Sequence, residues 1–331
     1  MINDSYRKAI ELILGVAAEG LDKESARTSM TALQVDLSDY ERRKIAQLHY
    51  FLNYPGFDDG NSLFVCTGLF KAGTTWFGKL LDAHPGLSCK GKELHPFSRQ
   101  IEELYTGRSI ENLPEGQGKE WHRIIVENRR SALFSQILET VDNPRAKRIG
   151  ARSPVLNVEL LFEAFPHAKV PVIIRDPRDI AVSAAYFHSR YYDQSFDGVF
   201  LDSERKTIDP KYVEGWCWQA GEYYGWVDGL CGRYPDQLLI TRYEDLLNKP
   251  TETLKGIYQF LDVADDNDLV ESCLKTCSFE VMSGGRKKGD ENPASFYRKG
   301  VAGDWKNHFN EDGLKASLVA EAIMKKYDYL D

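Results

Sequence analysis

Residues 62–79 read as a short apolar strand, a turn that contains glycine and the beginning of a helix. The segment 63–66 is apolar throughout, which is typical of a parallel strand that is covered on both faces. Thr74 and Thr75 follow the turn, where the first N–H groups of a helix lack partners. Free N–H groups, two hydroxyls and the positive end of a helix dipole together bind anions. The stretch therefore predicts a phosphate-binding loop between a strand and a helix.

The two glycines of this loop, Gly68 and Gly73, have the spacing with which a nucleotide triphosphatase P-loop begins, but that pattern continues with lysine and then Ser or Thr. Thr74 occupies the lysine position here, and Lys71 comes two residues before Gly73. Lys71 therefore approaches a bound anion from a different side, which argues against a site for ATP and Mg²⁺. A plain strand-to-helix turn with threonine caps is the alternative that the loop by itself leaves open.

The chain has 331 residues, a formal net charge of -8 and six cysteines. This length allows a single α/β domain with a large core. The negative charge gives no general attraction to nucleic acid, so no nucleic-acid partner is expected. The cysteines lack metal-ligand spacing, and Cys273 and Cys277 are interpreted as buried thiols, with no metal expected. The apolar run 10–18 is interrupted by Glu11 and Gly15, which predicts no signal peptide or membrane span and a soluble, cytoplasmic protein.

Apolar strand patterns alternate with helical patterns from residue 62 onward. This alternation predicts an α/β fold of three layers, with a central parallel sheet and a P-loop-like loop at the end of one strand. The expected strands are 63–66, 147–151, 169–174 and 238–241, and the expected helices include 74–84 and 212–233. Residues 188–211 lack periodicity and are expected to form an irregular surface segment. Residues 1–58 have helix-like apolar spacing and are interpreted as a helical extension before a domain at 59–331.

A second cationic motif, Arg175-Asp-Pro-Arg-Asp, follows the strand expected at 169–174. Arg175 then lies at the carboxyl end of a strand, and Ser183 lies about two turns into the next helix. Both side chains can reach a phosphate above the sheet, which is where α/β proteins bind ligands. Taken alone, the same residues also fit a surface cluster of charge pairs.

A third cationic motif lies near the carboxyl end, where Arg298 and Lys299 precede Gly300. Two cations followed by glycine combine charge with room for close backbone approach, which suits a clasp over a phosphate. We call Arg298, Lys299 and Gly300 the clasp.

Together the three motifs resemble sulfotransferases that use 3′-phosphoadenosine 5′-phosphosulfate (PAPS). Residues 71–76, Lys-Ala-Gly-Thr-Thr-Trp, are similar to the family's 5′-phosphosulfate loop, Pro-Lys-Ser-Gly-Thr-Thr-Trp, from which Phe70 and Ala72 depart. Residues 175–183 match the family's 3′-phosphate segment at every anchor position. Residues 298–309 resemble its segment Arg-Lys-Gly-x-x-Gly-Asp-Trp-Lys-x-x-Phe. The resemblance covers about residues 62–310.

The resemblance implies PAPS as the donor, adenosine 3′,5′-bisphosphate as the product, and no requirement for a metal. It implies that Phe279 stacks on adenine and that Trp76 and Tyr243 complete the adenine pocket. It also implies that Lys71 supplies positive charge to the bridging oxygen. Cys277 departs from the threonine that the family usually has at this position. The nucleotide-binding positions that it implies are Lys71, Ala72, Gly73, Thr74, Thr75, Trp76, Arg175, Ser183, Tyr243, Phe279, Arg298, Lys299 and Gly300.

The segment that holds the catalytic base in cytosolic sulfotransferases is different in this chain. Cytosolic members use a histidine in a Lys-Thr-His segment, and Arg152 with the following Ser-Pro stands there instead. The segment 150–154 resembles the Gly-Glu-Lys-Ser/Thr-Pro of heparan sulfate and bacterial sulfotransferases, which commonly take the base from the glutamate of Lys-Glu-x-His-Phe-Phe. Residues 92–97, Lys-Glu-Leu-His-Pro-Phe, approach that segment. The resemblance thus implies Glu93 as base, His95 as the alternative, and Arg152 as a charge partner near the sulfonate.

The predicted function is transfer of a sulfuryl group from PAPS, by in-line displacement, to a hydroxyl of a small-molecule or carrier-tethered acceptor. A P-loop kinase is one alternative, which Thr74 disfavours. A catalytically silent nucleotide-binding protein is another, which the intact Lys71, Arg175 and clasp disfavour. The sequence predicts neither the acceptor nor the oligomeric state.

Overall fold

The structure is a computed structural model that describes residues 62–89, 143, 146–191 and 207–330. Its strands are β1 (Leu63–Gly68), β2 (Leu87–Ser88), β3 (Arg148–Arg152), β4 (Val170–Ile174) and β5 (Leu238–Arg242). Its α-helices are α1 (Thr74–Asp82), α2 (Val158–Ala164), α3 (Pro177–Tyr191), α4 (Pro210–Arg233), α5 (Tyr243–Asn248), α6 (Pro250–Phe260), α7 (Asn267–Thr276), α8 (Phe279–Met282), α9 (Glu311–Ser317) and α10 (Glu321–Lys326). Short 3-10 helices span Asp304–Asn307 and Leu318–Ala320.

The strands of the described residues form a five-stranded sheet in the order β2-β3-β1-β4-β5. The pairs β2–β3, β1–β4 and β4–β5 are all parallel. Thr67 lies opposite Val172, and Val170 lies opposite Leu238. Every residue of β1 and β4 is buried, as expected of central strands with both faces covered. The predicted α/β fold with a parallel sheet is confirmed, and the ends of β1, β4 and β5 meet at one edge of the sheet.

Two compact units make up the described chain. The first contains residues 62–65, 84–89, 143, 146–152 and 157–169, and the second contains residues 66–83, 153–156, 170–191 and 207–330. In the first unit, the Ile149 N–H donates to the Ser62 carbonyl at 2.9 Å. A Cβ atom on Gly150 would lie 2.5 Å from the carbonyl oxygen of Phe64, so glycine is needed where these two strands approach each other.

The second unit has a core in which α3 and α4 pack with the carboxyl-terminal helices. Buried members of this core are Val182, Ala185, Val213, Cys217, Ala320, Met324 and Tyr329. The helix α4 begins at a proline whose missing N–H costs nothing in the first turn, and Asp209 caps it by accepting a hydrogen bond from the Lys211 N–H at 2.7 Å. This packing fixes the helix that follows Arg175.

The prediction of an irregular segment at 188–211 is wrong at both ends of that range. The helix α3 continues to Tyr191, and α4 begins at Pro210. The hydroxyl of Tyr212 lies 2.9 Å from Nδ1 of His188, so a contact between the two helices stabilises the last turn of α3 that local periodicity did not predict. The predicted extension at 1–58 lies outside the described residues.

All six cysteines are free, and Cys273 and Cys277 are buried thiols, as the sequence predicted. No helix of the described ranges is both long enough and apolar enough to span a bilayer.

Candidate active site

The loop after β1 owes its shape to two residues in the left-handed region of backbone space. Lys71 has φ 69° and Gly73 has φ 102°. A Cβ atom on Gly73 would lie 2.8 Å from Cδ2 of Tyr243, so the tyrosine ring packs directly on the glycine. Gly73 is also the N-cap of α1, and no side chain caps that helix. The first-turn N–H groups and the positive dipole end are therefore suited to an anion, as predicted from the sequence.

The ammonium group of Lys71 lies against aromatic rings. Its Nζ atom is 3.9 Å from the ring centroid of Phe187 and 5.3 Å from that of Phe296. Such contacts hold a cation without neutralising it. Burial first, and then the charge of Lys71, lowers the pKa of His188, whose ring centroid lies 5.8 Å from that of Phe187. His188 was not predicted as a site residue; the signal in the sequence that could have found it is its place about one and a half turns after Ser183 on α3.

Arg175 connects the loop to the chain that follows the clasp. Its Nη1 donates to the carbonyl of Lys71 at 3.4 Å, and its Nη2 donates to the carbonyl of Val301 at 3.1 Å. Its guanidinium lies 4.5 Å from the ring centroid of Tyr243 and 3.7 Å from Oδ2 of Asp179. Burial alone would lower the pKa of Arg175, but the neighbouring carboxylates, Asp179 foremost, hold that pKa above its usual value. The guanidinium is thus a permanent, buried positive charge.

The Nε atom of Arg175 is buried and has no hydrogen-bond partner among the described residues. A buried donor without a partner is uncommon in folded proteins, and on a cation it suits an anionic ligand. This unsatisfied donor is compatible with a phosphate group bound at Arg175.

The rest of the Arg-Asp-Pro-Arg-Asp motif is structural. Arg178 binds Asp176 through its Nη2 at 2.7 Å and stacks 3.8 Å from the ring of Trp305. The carboxylate of Asp179 accepts hydrogen bonds from the N–H groups of Gly303 at 2.7 Å and Trp305 at 3.1 Å. The two arginines, indistinguishable in the sequence, therefore have different tasks, and Asp179 fastens the segment that follows the clasp.

The aromatic residues implied for adenine lie in the same unit. The indole N–H of Trp76 donates to the Cys277 carbonyl at 2.8 Å, and its ring meets that of Tyr243 edge to face at 5.5 Å. Because the contact at 277 uses the backbone carbonyl, the departure from threonine leaves it intact. Gly300 has φ 68°, and a Cβ atom there would lie 2.2 Å from Cδ2 of Phe279. The backbone of the clasp therefore supports the Phe279 ring directly.

Replacing Gly300 with alanine is expected to weaken the affinity for adenosine 3′,5′-bisphosphate about tenfold, since the new methyl group would displace the Phe279 ring, for which the family resemblance implies stacking on adenine. Gly303→Ala is the matched control: Gly303 also has a left-handed φ of 77°, but its Cβ would meet no atom within 4 Å. Calorimetric titration of both variants separates the collision with Phe279 from backbone strain. Equal losses of affinity in the two variants would contradict this role of Gly300.

The clasp cations are paired with two acids. Arg298 binds Glu291 through Nη1 at 2.5 Å and Asp304 through Nη2. Lys299 lies 2.6 Å from Oδ1 of Asp304 and 3.9 Å from Oε2 of Glu291. The Asp304 side chain is only 1% exposed, and Asn307 also donates to it at 2.9 Å. Neither acid was predicted as a site residue: Asp304 stands in the third motif but had no role assigned to it, and Glu291 lies in none of the three motifs.

Asp304→Asn is expected to lower the free energy of unfolding by about 2 to 3 kcal/mol near neutral pH, because it leaves partly buried cations without their partner. Burial opposes ionisation, but hydrogen bonds from His308, Lys299 and Arg298 hold the pKa of Asp304 well below its usual value. A depressed folded-state pKa gives stability that is present above the unfolded-state pKa, about 4, and lost as the pH falls below it.

Urea unfolding at about pH 7 and about pH 3 tests this prediction, since the difference between the wild type and Asp304→Asn should shrink at the lower pH. Asp312→Asn, which removes an exposed carboxylate on α9, should change stability by less than about 0.5 kcal/mol. A difference that does not depend on pH would contradict the assignment.

A further arginine, Arg286, folds the chain before the clasp. Its Nη1 donates to the carbonyls of Asp290 and Arg298, each at 2.9 Å, and its Nη2 donates to Oγ of Ser295 at 2.9 Å and to the carbonyl of Tyr297. The side chain is thus committed to the backbone that leads into the clasp.

Four further residues were predicted for the site: Ser183, Arg152, Glu93 and His95. Ser183 is half-buried on α3, in the same unit as Arg175. Arg152 is the half-buried last residue of β3, in the first unit. Glu93 and His95 lie outside the described residues. The second unit by itself contains the phosphate loop, Arg175, the aromatic residues and the clasp.

Residues 62–326 match the family model described as the sulfotransferase domain. Sulfotransferase 2A1 of Homo sapiens is 29% identical over 168 residues, which are 46% of this chain and 56% of that protein. Cytosolic sulfotransferase 17 of Arabidopsis thaliana is 30% identical over 162 residues, 44% of this chain and 45% of that protein. The chain thus spans about half the length of these curated relatives. A solved structure of retinol dehydratase, in complex with androsterone and inactive cofactor PAP, has a similar fold, with a TM-score of 0.50 and 19% identity over 85% of each chain.

Proposed function

Because this chain belongs to the sulfotransferase domain family, we propose that it transfers the sulfuryl group of PAPS to a hydroxyl of a small-molecule or carrier-tethered acceptor. The observation that carries the proposal is the buried guanidinium of Arg175, which hydrogen-bonds to the loop at Lys71 and to Val301 beyond the clasp. One cation thereby joins the two stretches of chain that would hold the two phosphate groups of a 3′,5′-substituted adenosine.

The donor set supports a doubly phosphorylated nucleotide. The uncapped first turn of α1 suits the 5′-phosphosulfate, and Arg175, Ser183 and the clasp suit the 3′-phosphate. Three aromatic residues, Trp76, Tyr243 and Phe279, would hold the adenine. When bound, PAPS supplies an activated sulfuryl group, and its products are adenosine 3′,5′-bisphosphate and a sulfated acceptor.

The proposed chemistry assigns one task to each polar residue. Lys71 stabilises the negative charge that develops on the bridging oxygen as the sulfur–oxygen bond breaks. Glu93 takes the proton of the acceptor hydroxyl, with His95 as the alternative base. Arg152 stabilises charge near the sulfonate. The proposed reaction uses no metal. Lysine and arginine side chains supply the positive charge that Mg²⁺ would supply in a kinase site.

The surroundings of Lys71 support an apolar or aromatic acceptor. Phe187 and Phe296 flank its ammonium group, and the rings of His188, Tyr212 and Trp216 lie next to one another beside Phe187. Sites lined by aromatic side chains bind apolar ligands by burying apolar surface, and a few polar groups fix the ligand's orientation. A cytoplasmic location, with residues 59–331 as the catalytic domain and 1–58 as an extension, belongs to the same proposal; the relative named as cytosolic supports it.

Calorimetry with adenosine 3′,5′-bisphosphate tests the nucleotide assignment, and ATP with Mg²⁺ is the comparison ligand. The bisphosphate should bind more tightly than ATP, with or without Mg²⁺. A panel of alcohols and phenols is then incubated with PAPS, and mass spectrometry detects the gain of one sulfuryl group, which should not require Mg²⁺. No heat with the bisphosphate, or a phosphorylated product with ATP, would overturn the proposal.

A further inference from the structure

Besides Asp304, a second carboxylate lies against both cations of the clasp. Glu291 pairs with Arg298 at 2.5 Å and lies 3.9 Å from Lys299. After burial, the charge of Glu291 is the next cause that raises the pKa of the Tyr186 hydroxyl. Two cations around one carboxylate form the same kind of donor set that would surround a phosphate group.

We propose that Glu291 competes with the 3′-phosphate of the nucleotide for Arg298 and Lys299, and so sets the affinity of this protein for 3′-phosphorylated nucleotides. This inference rests on the proposed function, because it takes the clasp to be the 3′-phosphate site. Neither the three motifs nor the family match gives Glu291 a role in nucleotide affinity.

The clasp and Arg175 converge on one place, which is why Glu291 bears on the 3′-phosphate in particular. The guanidinium of Arg298 lies 4.3 Å from the ring centroid of Tyr186, which follows Ser183 by one turn of α3. Arg175 reaches the same stretch of chain through its hydrogen bond to the Val301 carbonyl. An anion held by Ser183 and Arg175 therefore lies next to the cations that Glu291 binds.

The two acids of the clasp differ in how firmly they are held. Asp304 is 1% exposed and has Arg298, Lys299, Asn307 and His308 as partners, so it keeps the cations in position whatever else they bind. The Glu291 side chain is 31% exposed and belongs to no helix or strand. The Glu291 carboxylate offers one charge and two acceptor oxygens, whereas a phosphate monoester brings about two charges and three acceptor oxygens. A phosphate should thus displace Glu291 and leave Asp304 in place.

The test compares two ligands by calorimetry, adenosine 3′,5′-bisphosphate and adenosine 5′-monophosphate, which lacks the 3′-phosphate. Glu291→Gln should bind the bisphosphate roughly threefold to tenfold more tightly than the wild type, and the monophosphate with unchanged affinity. Glu280→Gln is the matched control, since it removes one negative charge from an exposed acid on α8 that does not contact Arg298 or Lys299 within the described chain. It should leave both affinities unchanged.

The outcomes distinguish this inference from the function on which it rests. A wild-type protein that does not prefer the bisphosphate to the monophosphate contradicts the proposed function. If the wild type has that preference, unchanged or weaker bisphosphate binding by Glu291→Gln overturns the role of Glu291, as does an equal gain for both ligands. Glu291→Ala should tighten binding as Glu291→Gln does; a loss of affinity with alanine would make Glu291 a positioning residue for Arg298 and would likewise overturn the inference.

Discussion

Replacing Lys71 with methionine is expected to slow sulfuryl transfer about 100-fold to 1000-fold, because it removes the cation that we propose stabilises the leaving oxygen. Methionine keeps an unbranched, apolar side chain that still packs against Phe187 and Phe296. The rate is measured in a single turnover with PAPS and protein in excess of acceptor, so that product release does not limit it.

The affinity of Lys71→Met for adenosine 3′,5′-bisphosphate should fall by less than about tenfold, since Arg175 and the clasp remain. Lys79→Met is the control: it removes the same charge from an exposed position on α1, outside the proposed site, and should leave the rate unchanged. If Lys71→Met loses affinity as much as rate, the lysine binds the nucleotide in its ground state and has no particular role in the transition state.

Glu93→Gln is expected to reduce turnover about 100-fold to 10,000-fold, because the amide cannot accept the proton of the acceptor hydroxyl. Nucleotide affinity should be almost unchanged, since no phosphate donor is lost. The prediction rests on the resemblance of residues 92–97 to a family segment. It is checked by the turnover rate at saturating PAPS and by calorimetry with the bisphosphate.

His95→Gln is the companion variant to Glu93→Gln, and the larger loss of rate identifies the base. A near-normal rate in both would remove this segment from the mechanism. His188 would then be the base to test, by His188→Asn: burial and the charge of Lys71 lower the pKa of His188, so its imidazole is neutral and able to take a proton near neutral pH.

The structure confirms the predictions that rested on the strongest local sequence patterns. The strand at 63–66, the glycine turn and the helix from Thr74 were all predicted, as were the buried strand β4 and the position of Arg175 at its end. Each of these depends on neighbours within a few residues: apolar runs form strands, glycine adopts positive φ, and helix starts leave N–H groups without partners. Short-range rules of this kind can be read from a single chain.

The identity of charge partners was decided only by the tertiary structure. Arg175 and Arg178 are three residues apart, yet one is buried with an unpartnered Nε and the other is committed to Asp176. Asp179 accepts its backbone hydrogen bonds from residues more than 120 positions further along the chain, Gly303 and Trp305. Glu291 stands in a stretch without any motif and nevertheless meets the clasp.

The physical reason for this division is the range of the interactions. Backbone preferences and helix-end effects act between residues that are already adjacent in the chain, so the sequence alone determined the phosphate loop and its supporting strands. An ion pair forms only where folding brings two side chains within about 4 Å, and its strength depends on the burial that folding produces. Which cations of this protein pair with which acids was therefore decided by the packing of α3, the clasp and the chain around Glu291.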